Sequence, residues 1–224
     1  MDNGHRISIQ TARRSSAAAV VMAALVLSLG ACSHVPGVYT YENEQQVAQA
    51  AAGFDAVTFV DGIWADKVLP TVDEKAVDAA TLLDAIAADP VAAAQQYGTT
   101  SGTGAAPAFL VKGQGTVTAV DTQAPTGPVT VTLAGGKTVT LVTGPVIAGT
   151  AIRDAVGFID FSQFTNQIDY ANVSTELNNR VKTDVVAGLD KASLTGKAVT
   201  FEGAFSLLTP TVVSVVPTTV EVTQ

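Results

Sequence analysis

Arg153 and Asp154 are the charged pair best placed for chemistry in this sequence, because glycine and apolar residues surround them. An arginine fork can bind a carboxylate, a phosphate or sugar hydroxyls, and the neighbouring carboxylate can accept hydrogen bonds from the same ligand. The same two residues could instead form a buried ion pair that fixes a strand-to-helix junction, with Asp154 as a helix cap. The residues alone favour this structural interpretation. Asp160 and Asp169 lie close by in sequence, but nothing indicates the spacing of a glycosidase carboxylate pair.

The usual motifs of nucleophilic and metal catalysis are missing from the sequence, and His34, the one histidine after residue 31, lies two residues from Cys32. The sequence has two histidines, His5 and His34, and no GxSxG, HExxH or CxxC motif. A Ser-His-Asp or Cys-His site is therefore not expected, nor is a zinc site built from cysteine and histidine ligands. No DxDxDG spacing for calcium occurs either. We expect a protein that is not an enzyme and that has no metal or cofactor.

The N-terminus has the three parts of a secretory signal. Arg6, Arg13 and Arg14 precede an apolar run from Ala17 to Leu29, and small residues precede Cys32. A run of 13 uncharged residues is shorter than the roughly 20 that a membrane-spanning helix needs. Leu-Gly-Ala-Cys at positions 29–32 resembles a bacterial lipobox, which predicts cleavage after residue 31 and diacylglycerol on the Cys32 thiol. The alternatives are an ordinary signal peptide with an incidental cysteine, or a buried free cysteine in a cytosolic protein. Cys32 is the only cysteine, so no disulfide competes to explain it.

Charge and composition limit the partners. Residues 1–31 hold three of the 12 basic and one of the 20 acidic side chains, so the mature chain has a net charge of about −10. This sign argues against nucleic acid and against a polybasic membrane patch. We therefore expect membrane attachment through the lipid on Cys32, with the protein in the periplasm or at an extracytoplasmic face.

The hydrophobic period divides the mature chain in two. We predict a signal peptide at 1–31, a tether and helical region at 32–106, and a β domain at 107–224. Helical spacing covers 54–98, with Asp55 as a cap, Phe54 and Phe59 as a hydrophobic staple, and Trp64 as a core anchor. A capping box is predicted at Thr71–Glu74, and Asp89-Pro90 starts a further helix that ends at Gly98.

From Ala108 the period changes to two. The pattern predicts a long first strand bent or bulged at Gly113 and Gly115, a hairpin at Gly135-Gly136, and a bend at Gly144-Pro145. A helix is expected from Phe161 to about Leu189, with a kink near Asn172, and two strands follow. Three strands, a helix and two strands is the order of an OB-fold, so we predict an α+β protein with N-terminal helices and an OB-like five-stranded barrel. An open α+β sheet with the helix on one face is the alternative.

The segment GPVIAGTAIRD at 144–154, with the aromatic and amide residues after it, Ile63-Trp64, and Gly113-x-Gly115-x-Val117, resembles a family of predicted periplasmic lipoproteins of unknown function. The resemblance covers most of residues 54–222 and implies an OB-like fold. Members are often encoded beside sugar-type ABC transporter components, which implies a role near solute uptake. No activity comes with the resemblance.

Together these features lead us to expect a non-enzymatic lipoprotein that binds a small solute or ABC transporter components, with Arg153 and Asp154 as speculative ligand-binding residues. The alternative is an envelope scaffold protein without a small-molecule ligand.

Overall fold

The structure is a computed structural model, and it describes residues 53–209 and 212–223. The predicted signal peptide, Cys32 and the tether up to residue 52 lie outside the described residues. Of the helices within the described residues, none is both long and apolar enough to cross a bilayer.

The N-terminal helices begin where the sequence predicts. The Asp55 side chain accepts a hydrogen bond from the Val57 amide at 3.0 Å, and the rings of Phe54 and Phe59 lie 5.7 Å apart, so the cap and the staple are confirmed. Trp64 is 3% exposed, which confirms its place in the core. The helices are α1 (Ala56–Ile63), a π-helical turn (Trp64–Val68), α2 (Leu69–Lys75), α3 (Ala79–Ala88) and α4 (Pro90–Tyr97).

The capping box predicted at Thr71–Glu74 is wrong. The chain passes from the π turn into α2 without leaving helical geometry, so Thr71 lies inside a helix and has no free N-terminal amides to cap. Pro70 lacks an N–H and crowds the carbonyl four residues before it, and the wider π turn accommodates this. The next helix begins instead at Asp78, whose carboxylate accepts from the Thr81 amide at 2.9 Å.

The strands within the described residues are β1 (Val77–Asp78), β2 (Gly98–Thr99), β3 (Ala108–Val120), β4 (Pro128–Leu133), β5 (Thr138–Val142), β6 (Ala198–Ser206) and β7 (Ser214–Thr223). Five of them pair in a closed ring in the order β3, β4, β5, β7, β6 and back to β3. All neighbours are antiparallel except β5 and β7, which are parallel and join through two residue pairs, Thr140 with Ser214 and Leu141 with Val215. The strand pairing in the ring is therefore shortest between β5 and β7.

The long first strand is confirmed, but the predicted bulge is not at Gly113 or Gly115. The register between β3 and β4 shifts between Val117 and Ala119. Gly115 allows β3 and β4 to approach each other closely, because a Cβ at this position would lie 2.3 Å from the Thr132 carbonyl oxygen. The hairpin prediction is confirmed, since Gly135 and Gly136 both take positive φ between β4 and β5.

The segment between β5 and β6 differs from its prediction in two ways. It contains a short helix α5 (Ala151–Val156) that the pattern did not reveal, and α6 (Gln167–Arg180) runs without a break through Asn172. The kink predicted at Asn172 is wrong, because Val173, Leu177 and Val181 keep one buried stripe across it. The helix changes instead at a π turn (Val181–Val185).

Two cores hold these elements together. In the first, side chains of α1, α2, α5 and α6 pack with Ala108, Leu110, Ala204 and Val216 of the sheet. In the second, side chains of all five ring strands pack with those of α3 and α4. Mixed helix and sheet is therefore the fold class, as predicted. The division of the mature chain at residue 106 stays a prediction.

Candidate functional site

α5 carries both residues of the pair that the sequence singles out. Arg153 is 7% exposed and Asp154 6%. The Nε of Arg153 donates to Oδ1 of Asp154 at 2.9 Å, and its Nη2 lies 2.8 Å from the same oxygen. Thr150 donates its hydroxyl to Oδ2 of Asp154, so both carboxylate oxygens are engaged within the protein. The N-cap position of α5 is Thr150, so the predicted role of Asp154 as a helix cap is wrong.

The rest of the Arg153 guanidinium is directed at α6. Its Nη1 donates to the Tyr170 carbonyl at 3.2 Å, and its central carbon lies 3.6 Å from the centre of the Tyr170 ring. This is a cation–π contact in a desolvated place. Burial raises the pKa of the Tyr170 hydroxyl, and the positive charge of Arg153 opposes that rise. The pair thus ties α5 to α6.

The two other aspartates of the predicted cluster have separate partners. Asp160 accepts from the Ser162 amide at 2.8 Å at the start of a 3-10 turn. Asp169 is 1% exposed and accepts from the Asn166 side chain at 3.0 Å. Among the described residues, neither makes an ion pair with Arg153 within 4.0 Å. The structure therefore brings Arg153 and Asp154 together and places Asp160 and Asp169 in local helix-start contacts.

A different part of the molecule contains an open depression of about 550 Å³ across β3, β6 and β7, which we call the polar groove. Its volume falls in the range of small-molecule sites. It is lined by Asp78, Lys112, Gly113, Gln114, Thr200, Phe201, Glu202, Thr219 and Glu221.

Strand register arranges the groove's polar side chains in two rows. In the first row, Lys112 lies opposite Asp78 of β1 on one side and opposite Glu202 of β6 on the other. Glu202 in turn lies opposite Thr219 of β7. In the second row, Gln114 pairs with Thr200, and Thr200 pairs with Glu221. Because alternate residues of a strand face the same side, both rows belong to one face of the sheet.

Charges in the groove are only partly paired. The Lys112 ammonium donates to the Asp73 carbonyl at 3.0 Å and, among the described residues, makes no ion pair with Glu202 within 4.0 Å. The pKa of Glu202 is raised, first by burial and then by the charge of Asp73, while Lys112 lowers it. Ammonium, amide, hydroxyl and carboxylate groups thus remain available within one groove for a polar ligand.

Sequence reasoning missed this groove. Alternation along each strand shows which residues face outward, but the register between distant strands decides which of them become neighbours. Lys112 and Glu202 are 90 positions apart, and no local pattern joins them.

Comparison with known proteins gives a family and a fold. The model of a family described as "Predicted periplasmic lipoprotein (DUF2291)" matches residues 21–221, which confirms the resemblance seen at residues 144–154. The crystal structure of an OB-fold protein from Thermotoga maritima is similar, with a TM-score of 0.65 and 24% sequence identity. The match covers 76% of this chain and 99% of that chain. At this identity the likeness shows the fold alone. No curated protein matches the chain.

Proposed function

Because this chain belongs to the DUF2291 family of predicted periplasmic lipoproteins, we propose that it is held to a membrane by diacylglycerol on Cys32 and binds a small polar solute in the polar groove. We further propose that it is not an enzyme and serves as an accessory of solute, in particular sugar, ABC transport. Its five-stranded ring is then an OB-like barrel that acts as the binding body.

The observation that carries this proposal is the pair of cross-strand rows in the groove. Lys112 and Gln114 supply donors, Glu202 and Glu221 supply acceptors, and threonine hydroxyls supply both. A solute with several hydroxyl or amino groups can form hydrogen bonds with these donors and acceptors. OB-folds commonly bind ligands on their second and third strands, here β4 and β5. The groove lies instead on the first, fourth and fifth strands, so its ligand is not expected to be an oligonucleotide.

Two further features support the other parts of the proposal. Arg153 and Asp154 are engaged with each other and with Tyr170 and Thr150, which leaves them poorly placed for acid–base chemistry. The link to ABC transport is supported by the resemblance at residues 144–154. Its check is co-purification of transporter subunits with the full-length lipoprotein.

A ligand screen tests the groove. Thermal unfolding of the protein is measured against single sugars, sugar acids, amino sugars and amino acids, because a ligand that binds the folded state raises its melting temperature. We expect at least one of these solutes to give a concentration-dependent rise, and Lys112→Gln to abolish it. Lys67→Gln is the matched control, since Lys67 is an exposed lysine of the π turn outside the groove.

If no solute raises the melting temperature, the binding function is wrong and the envelope scaffold becomes the better account. A rise that survives Lys112→Gln would place the ligand outside the groove.

A further inference from the structure

Five aromatic rings form a continuous chain on the helical side of the molecule, and we call them the aromatic rim. They come from the start of α1, the 3-10 turn at 161–163 and the start of α6. Neighbouring ring centres lie 5.3–5.7 Å apart, all in edge-to-face or tilted geometry. Phe161 is 44% exposed and the others are half-buried. The rim consists of Phe54, Phe59, Phe161, Phe164 and Tyr170.

The rim includes Phe54, which lies at the start of the described residues, next in sequence to the predicted tether. Phe54 follows Gly53, the first described residue, and the 20 residues at 33–52 connect that point to Cys32. Fully extended, such a segment spans at most about 70 Å. A tether of this length keeps its exit point at a high effective concentration near the membrane that holds the lipid, so a weak contact there is sufficient.

The cation that packs against the rim is buried and already paired. Tyr170 packs on the buried guanidinium of Arg153, whose charge is engaged by Asp154 and is not free for lipid phosphate. Asp55 and Asp160, the N-cap residues of α1 and of the 3-10 turn, are exposed carboxylates next to rim residues in sequence. Asp61 of α1 is also exposed and lies 3.2 Å from Arg180. Hydrogen bonds from their neighbours lower the pKa of Asp55 and Asp160, which keeps them negative. Aromatic side chains favour the headgroup boundary of a bilayer, whereas these carboxylates repel anionic headgroups.

We propose that the aromatic rim rests on the bilayer that anchors the chain, with Phe161 at the headgroup boundary and a preference for zwitterionic lipid. This inference rests on the proposed lipid anchor at Cys32. It assigns the rim as the face that is turned toward the membrane.

The test uses the full-length lipidated protein in phosphatidylcholine vesicles. Lipidation blocks Cys32, so an added cysteine is the single reactive thiol and can carry a fluorophore. The probe is placed next to rim residue Phe164 with Thr165→Cys, or in the loop between β3 and β4, outside the rim, with Gln123→Cys, both at exposed positions. A nitroxide on the lipid headgroup then quenches the probe according to its proximity to the bilayer. We expect several-fold stronger quenching at 165 than at 123.

Two further variants isolate the rim. In the Thr165→Cys background, Phe161→Ser is expected to reduce quenching to the level of the Gln123→Cys probe. Val91→Ser is the matched control, because Val91 is an exposed apolar residue of α4, 65% exposed, outside the rim, and its change is expected to leave quenching at 165 unaltered. Trp64 fluorescence checks that each variant is folded. Phosphatidylglycerol in the vesicles is expected to weaken quenching at 165.

Flotation of the vesicles separates the two proposals. If the protein floats but the probes at 165 and 123 are quenched equally, the rim does not face the bilayer and the anchor stands. Equal quenching with crosslinking through position 165 would assign the rim to a second copy or another protein, which also overturns the inference. If the protein does not float, the anchor fails and the inference fails with it.

Discussion

The buried Arg153 side chain forms an ion pair with Asp154, and the Tyr170 carbonyl accepts a further hydrogen bond from it. Three guanidinium nitrogens have partners, and the Tyr170 ring covers the plane. A buried ion pair is costly to break, because removal of one member leaves the other charged and unpaired in a poorly solvated place. This geometry supports the structural interpretation that the sequence favoured.

Arg153→Ala is therefore expected to lower the free energy of unfolding by about 3 kcal/mol or more, as measured by urea denaturation. The matched control is Arg180→Ala. Arg180 contacts Asp61 at 3.2 Å and Asp184 at 2.9 Å, but its side chain is about one-third exposed, so its removal is expected to cost about 1 kcal/mol or less. An Arg153→Ala protein of unchanged stability that no longer responds to the solute would instead establish Arg153 as a ligand-binding residue.

Single residues differ in how far sequence predicts their roles. Asp55, Asp89 and Trp64 act locally, through the first turn or one face of a helix, and their predicted roles are confirmed. Lys112 and Glu202 act through a register between distant strands, which sequence periodicity does not contain. The candidate groove could therefore not be predicted, although each strand that lines it could.

Strands and short helices also differ in how well the sequence predicts them. The ring strands were predictable because each combines alternation with clear turn residues, as at Gly135-Gly136. The π turn at Trp64–Val68 and the short helix α5 were not, because tertiary packing overrides weak local preference in such short segments. The bulge in β3 lies between Val117 and Ala119, whereas Gly113 and Gly115 leave room for the Phe201 ring and for the Thr132 backbone.

This assignment of Gly115 makes an element-level prediction. Gly115→Ala places a Cβ 2.3 Å from the Thr132 carbonyl oxygen, so β3 and β4 must move apart. We expect a loss of about 2 kcal/mol in the free energy of unfolding. Gly62→Ala in α1 is the control, because a Cβ there meets nothing within 4 Å and helix propensity favours alanine by about 0.5–1 kcal/mol. Equal effects of the two changes, measured by urea denaturation, would refute the close-approach role of Gly115.

The whole molecule combines a predicted lipid anchor with a body that has two distinct surfaces. Family membership and fold are shown by residues 21–221 and by the OB-fold likeness. The polar groove is formed by β3, β6 and β7 with Asp78, and the aromatic rim by α1, α6 and the turn before it. If the rim rests on the bilayer, its contact restricts the orientations that the groove can take relative to the membrane.

The central claim is that this body is tied to a membrane through Cys32, and mass spectrometry of the protein extracted from membranes tests it most directly. We predict a mature chain that begins at Cys32 and whose N-terminal peptide carries the mass of a diacylglyceryl group. A peptide with a bare Cys32 thiol, still joined to residues 1–31, would contradict the claim.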